Sequence, residues 1–250
     1  MFAVAVQAIK RIVLPIAALL LFLIGLGLLL TREAAHWWPL TVEDGVNREF
    51  AADRTEPLTA VSGWVSAIAN TGWIIAVTAV VALILRLVLR RWREPIFLCL
   101  AVTAQALVFF FTTKAIDRPR PDVHRLDASP PTSSFPSGHT SASVALYLGL
   151  ALLLAGLARH TWLKALCWAL VLVPIGVAFS RMYRGMHHPS DVVAAFLNGI
   201  TCVIVMSRAI LDRAVSWRLP KVSGWPRSTS LPRPRRTGSA TSSLSRRTAV

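Results

Sequence analysis

The chain has 250 residues, 54% of them hydrophobic and only 16% charged, with a mean hydropathy of +0.56. Soluble domains carry about a quarter charged residues, so the composition excludes an ordinary water-soluble globule, and equally a disordered or a disulfide-knit chain. The formal charge of +15 would suggest a nucleic-acid partner in a soluble protein, but its placement along this chain points to a membrane and to no nucleic acid.

A spanning helix needs about 20 apolar residues. Candidates occur at Ile12–Leu30, Val61–Leu85, Pro95–Thr113, Thr140–Leu157, Trp162–Phe179 and Val192–Leu211. The sequence therefore predicts an all-α, polytopic membrane protein with six transmembrane helices. Lys10 and Arg11 precede the first apolar run, which exceeds the roughly 7–15 residues of a signal-peptide core and lacks a small-residue cleavage site; it reads as an uncleaved signal anchor. Residues 1–11 form the N-terminus, 12–211 the membrane domain and 212–250 a basic tail, rich in Ser, Thr, Pro, Gly and Arg and expected to be disordered. Cys99, Cys167 and Cys202 sit in apolar stretches without a CxxC pair and read as small buried residues.

Basic residues mark one side of the membrane. Lys10 and Arg11, the cluster Arg86, Arg90, Arg91 and Arg93, the pair Arg159 and Lys164, and the tail arginines fall at alternate ends of the spans. By the positive-inside rule they face the cytoplasm, with both termini. The loop Thr31–Leu58 carries Glu33, Glu43, Asp44, Glu49, Asp53 and Glu56 and belongs outside. Two loops break the pattern. Lys114, Arg118, Arg120 and Arg125 in one, and Arg181 and Arg184 in the other, fall on the outer side, where surplus arginine has no topological use. An anion site is the alternative use.

Three polar clusters share that face. They are Lys114 to Pro121, Phe135-Pro136-Ser137-Gly138-His139-Thr140 at the start of the fourth helix, and Ser180 to Asp191 entering the sixth. The inventory suits phosphoryl transfer. Guanidinium groups fork onto phosphate oxygens, and a hydroxyl with free backbone N–H groups at a helix start can point at an anion. A nucleophilic histidine needs a neutral ring with one nitrogen free and a partner on the other. His187 and Asp191 are four apart and can meet if the segment turns helically. His139 can protonate a leaving oxygen.

These residues resemble the type 2 phosphatidic acid phosphatase superfamily, which also contains undecaprenyl-diphosphate phosphatases, glucose-6-phosphatase and vanadium haloperoxidases. The family pattern reads Lys, six residues, Arg-Pro; then Pro-Ser-Gly-His; then Ser-Arg, five residues, His, three residues, Asp. The second part matches at Pro136–His139 and the third at Ser180, Arg181, His187 and Asp191, within a motif-bearing part spanning 101–211. Lys114 departs by one position, lying six before Arg120 where the pattern wants seven.

The resemblance implies a phosphatase acting on a lipid phosphate monoester or diphosphate, phosphatidate-like or polyprenyl-diphosphate-like, at the outer face. It implies His187 as the nucleophile that forms a phosphohistidine, Asp191 as its orienter, and His139 as acid and then base. Arg120, Arg181, Ser137 and Gly138, with Lys114 despite its offset, are the implied phosphate cradle. No metal or cofactor is implied, and one carboxylate among arginines is a poor divalent-cation site. Arg118 reads as a flanking charge and His188 as a loop residue; Arg184 is a candidate to reach substrate, and Asp127 has no role. A vanadate-dependent haloperoxidase-like enzyme and a catalytically degenerate lipid-phosphate binding or transport protein stay open as alternatives.

Overall fold

In a bilayer, backbone N–H and C=O groups must be satisfied within the segment that carries them, so apolar runs of spanning length fold as helices. The computed structural model describes residues 2–33, 37–38, 40–128 and 132–212, among which there is no strand. Among the described residues six helices are long and apolar enough to cross: α1 (Val4–Glu33), α4 (Thr71–Leu89), α5 (Arg93–Ala115), α6 (Gly138–Leu157), α7 (Thr161–Tyr183) and α8 (Pro189–Leu211). Two shorter helices, α2 (Glu43–Ala52) and α3 (Glu56–Ala67), precede α4.

The inner helices show which face each one buries. On α5 the buried positions Phe97, Ala101, Ala104, Val108 and Thr112 recur every three or four residues. On α8 the same spacing joins Asp191, Ala194, Asn198, Cys202 and Met206. These stripes meet each other and Ala145, Leu146 and Leu150 of α6 in one core. Asn198 Nδ2 donates to the Gln105 carbonyl at 3.1 Å, joining α8 to α5 inside the apolar core. The outer faces are apolar too: Leu21 and Phe22 on α1, and Ile75, Val80, Leu83, Leu87 and Val88 on α4, are exposed. Patches of that size would have to be covered in water; against lipid tails they are at home.

The structure revises several span boundaries. The expected Val61–Leu85 span is two helices. α3 ends at Ala67, the chain breaks over Ile68 to Asn70, and α4 starts at Thr71 and runs on to Leu89. Hydropathy merges them because Val61, Trp64 and Val65 are as apolar as a span, although α3 opens under its own cap, the Thr55 hydroxyl accepting the Leu58 N–H at 3.4 Å. The first span reaches from Val4 to Glu33, and α7 runs past Phe179 to Tyr183. Cys202 is buried, whereas Cys99 and Cys167 are only partly so, and all three are unpaired. The tail from residue 213 on lies outside the described residues. Alternation brings the end of α1, the start of α4, the end of α5, the start of α6, the end of α7 and the start of α8 to one end of the bundle, where α2 and α3 also lie.

Candidate active site

The turn between α7 and α8 is built by two backbone devices. Gly185 has φ 70°, and a Cβ there would stand 2.7 Å from Val123 Cγ2, so only glycine fits the turn. Pro189 then takes the first turn of α8, where its missing N–H costs nothing. Asp191, third in that helix, turns its carboxylate back and accepts the His188 N–H at 2.8 Å, which both caps the helix and sets a negative charge at its positive end. The His188 ring lies against the same oxygen, Nδ1 at 3.3 Å, and reaches Asp44 with Nε2 at 3.2 Å.

His187 lies between these elements and is buried. Its Nδ1 is 2.7 Å from the Ser134 carbonyl oxygen, which can only accept, so Nδ1 carries the proton and Nε2 keeps its lone pair. The expected direct bond to Asp191 is not what holds the ring. The nearest Asp191 oxygen is 3.8 Å from Nδ1, beyond hydrogen-bond range, and the carboxylate acts on the ring as a nearby charge. Burial pushes the His187 pKa down; Asp191 pulls it back up, and the charges of Arg181 and Arg120 push it down again. The net shift is downward, so the ring is neutral near pH 7.

A cavity of about 240 Å³ is lined by Gly63, Ser66, Ala67, Asn70, Asp127, Ala128, His139, Arg181 and Arg184; His187 and Arg120 do not line it. His139 Nε2 stands 2.8 Å from Asn70 Oδ1, and as the amide oxygen can only accept, this ring nitrogen carries a proton. His187, Arg181, Arg120 and Asp127 are close enough for their charges to act on His139. Arg181 Nη1 donates to Ser66 Oγ at 2.7 Å and to Asp127 at 2.5 Å. Arg184 reaches the other Asp127 oxygen with Nε at 2.9 Å and Nη2 at 2.6 Å. One carboxylate thus holds two guanidiniums. Burial alone would raise the Asp127 pKa; the Arg184 hydrogen bonds and the Arg181 charge outweigh it and hold the group below the usual carboxylate range.

Arg120 Nη1 donates to the Met186 carbonyl at 2.8 Å. Burial, then the charge of Arg125, push its pKa down, and Asp191 opposes them. The buried Nε groups of Arg120 and Arg181 have no hydrogen-bond partner among the described residues. A buried, unpaired charged donor is costly, and an oxyanion is the acceptor that would relieve both.

The other sequence candidates fall differently. Ser137 is fully buried and caps α6, its Oγ 3.0 Å from Thr140 Oγ1, and its N–H donates to the Asp191 carbonyl at 3.1 Å, tying the start of α6 to the start of α8. Gly138 opens α6 under the Phe109 ring, where a Cβ would come within 2.8 Å, so packing already requires a glycine there. Lys114 is exposed on the last turn of α5 and does not line the cavity. Arg118 is buried and gives Asp191 a 2.5 Å ion pair, a larger part than a flanking charge. Asn70, Ser66 and Asp127 escaped the sequence reading. Asp127 is one of three carboxylates, with Asp117 and Asp122, in an arginine-rich stretch, and nothing local marks it out from the other two; Asn70 is a helix-start residue in an apolar run and carries no signal either.

The family model of the PAP2 superfamily matches residues 73–214. The fold is similar to the crystal structure of a transmembrane PAP2-type phosphatidylglycerolphosphate phosphatase from Bacillus subtilis, with TM-score 0.66 and 19% identity over 77% of this chain and 94% of that one. It is also similar to Aquifex aeolicus LpxE, with TM-score 0.54 and 22% identity over 67% of this chain and 95% of that one. A search of curated protein sequences finds no match.

Proposed function

The chain belongs to the PAP2 superfamily, and we propose that it is a membrane phosphatase that hydrolyses a lipid phosphate monoester or diphosphate through a phosphohistidine. One observation carries the reading: a buried histidine with its Nδ1 proton committed to the Ser134 carbonyl lies within electrostatic reach of a second histidine, His139, which lines a cavity together with two arginines.

His187 Nε2 attacks phosphorus and the phosphorus–oxygen bond to the lipid breaks. His139 hands its proton to the leaving oxygen, then takes one from the water that attacks the phosphohistidine, releasing phosphate and restoring His187. The fixed Nδ1 tautomer and the Asp191 charge favour the imidazolium-like character that develops on His187. Arg181 and Arg120, with their unpartnered Nε groups, neutralise the transferring phosphoryl group. Ser137 and Gly138 serve at the start of α6, and Lys114 would join them by swinging its flexible arm in from the end of α5. The cationic lining does the work a divalent cation does elsewhere, which supports metal independence.

The test is phosphate release by the purified chain from phosphatidate, phosphatidylglycerolphosphate and a polyprenyl diphosphate in mixed micelles, with chelator present. Wild type is expected to release phosphate from at least one, orthovanadate to inhibit, and His187→Ala to fall to the uncatalysed rate. Unimpaired His187→Ala would remove the mechanism; vanadate binding without any release would mark a degenerate binding protein.

The same reading places the site on the outer face, because the linkers at the opposite end carry the surplus charge. Single cysteines at Ala128 and at His160, in a background without Cys99, Cys167 and Cys202, report on it in intact cells. An impermeant thiol reagent is expected to label 128 and spare 160; the reverse would put the chemistry in the cytoplasm.

A further inference from the structure

The acidic stretch before α3 precedes the family-matched segment, and it sends two side chains into the site. Glu43, first residue of α2, is 7% exposed, and Asn47, one turn later on the same face, is fully buried. A glutamate in the first turn of a helix ordinarily serves its own N-terminus. Glu43 serves another helix. Its Oε1 accepts the Ser190 N–H at 2.9 Å, and its Oε2 accepts the Ser190 hydroxyl at 3.0 Å and Arg118 Nη2 at 2.8 Å. Arg118 passes the contact on, with Nη1 at 2.7 Å from Ser190 Oγ and 2.5 Å from Asp191 Oδ1. A buried chain of carboxylate, guanidinium and carboxylate therefore runs from α2 to the residue beside His187.

Asn47 acts on the other side of the turn. Its Nδ2 donates to the His187 carbonyl at 3.1 Å and to the Met182 carbonyl at 3.3 Å, pinning the backbone at both ends of the segment that presents His187. Both Nη groups of Arg118 are held by these acceptors, whereas the buried Nε groups of Arg120 and Arg181 have no hydrogen-bond partner among the described residues. Burying two carboxylates for one guanidinium is a poor way to gain stability; its effect is to fix geometry.

We propose that Glu43 and Asn47 are positioning residues for the His187–Asp191 pair, Glu43 by holding Arg118 and the start of α8 against Asp191, and Asn47 by holding the backbone of His187. The proposal rests on the phosphatase reading. A displacement of about 1 Å at reacting atoms costs on the order of 100-fold in rate, and loss of either clamp allows one.

Full-length wild type, Glu43→Gln, Asn47→Ala, the exposed α2 control Glu49→Gln and His187→Ala are assayed in detergent on phosphatidate and polyprenyl diphosphate micelles. Rates are taken per folded molecule. Glu43→Gln keeps the shape but loses the charge that Arg118 balances and replaces one of the two accepting oxygens with a donor. Both clamp variants are expected to lose about tenfold to a hundredfold in kcat with KM within about twofold of wild type, because only transition-state geometry is disturbed, and half-inhibition by vanadate, which mimics the five-coordinate transition state, should weaken along with kcat. Glu49→Gln stays at the wild-type rate. A wild-type kcat per folded molecule in either clamp variant overturns the proposal, and should Glu43→Gln fail to fold, Asn47→Ala decides alone by the same criterion. If wild type itself releases no phosphate, the phosphatase reading falls separately. Positioning is then read from hydrogen exchange over residues 184–192, which quickens in the clamp variants if α2 holds this turn and is unchanged if it does not.

Discussion

At the end of the bundle away from the cavity, Arg90 and Arg91 are exposed and Arg86 and Arg93 partly so. Their contacts are peripheral: Arg86 lies over the Trp92 ring at 4.9 Å, Arg91 pairs with Glu94 three residues on at 2.7 Å, and Arg93 Nε caps the end of α8 through the Ile210 carbonyl at 2.9 Å. At the cavity end, Arg118, Arg181 and Arg184 are 8%, 4% and 8% exposed, and each grips a carboxylate from a distant part of the chain. An exposed arginine near headgroups is cheap and fits a topological role. A buried one is desolvated and persists only where carboxylates and a ligand compensate it. The same residue type thus does two jobs, and burial tells them apart.

The strongest way to break this contrast is a matched pair of substitutions. Arg181→Lys keeps the charge and loses the planar guanidinium whose Nη1 holds Ser66 and Asp127 while its Nε stays without a partner among the described residues, so kcat/KM is expected to fall on the order of 100-fold. Arg90→Lys at the other end should leave kcat/KM unchanged. Equal losses at the two ends, measured on the same micelles, would erase the distinction.

Asp127 sharpens it. A phosphate that reaches Arg181 competes with this carboxylate. Asp127→Asn is therefore expected to tighten inhibition by inorganic phosphate or vanadate by roughly threefold to tenfold, a gain typical of one partly screened charge. Weaker inhibition in the variant would show instead that Asp127 is needed to aim the two guanidiniums.

The smallest effect concerns pH. His187 must be neutral to attack, and burial with the Arg181 and Arg120 charges lowers its pKa against the pull of Asp191. Protonation then sets in only below the ordinary imidazole value of 6.5, so the acid limb of kcat/KM should lie under that value, with the rate flat above it up to the next titration. An acid limb centred above 6.5 would mean that Asp191 outweighs burial.

Much of this architecture was readable from the chain as letters. Spanning helices announce themselves because the bilayer demands a fixed length of apolar residues, and that demand is local. Pro136 to His139 and Ser180 to Asp191 were readable because a helix start, a glycine and a histidine at fixed spacing are local too. The break at Ile68 to Asn70 was not, since an interfacial helix and a spanning one can be equally apolar, and only packing against the site separates α3 from α4.

The sequence by itself determined the number of spans, six among the described residues, though not where the second begins, as well as the end of the bundle that gathers the polar clusters and the two histidines brought to that end. Tertiary structure alone decided that Ser134 rather than Asp191 receives the His187 proton, that Asp127 joins Arg181 to Arg184, and that Glu43 reaches Arg118 across 75 positions. The physical reason is that a span is selected residue by residue against one uniform solvent, whereas a buried charge is stabilised by whichever distant partner the fold happens to bring within 3 Å.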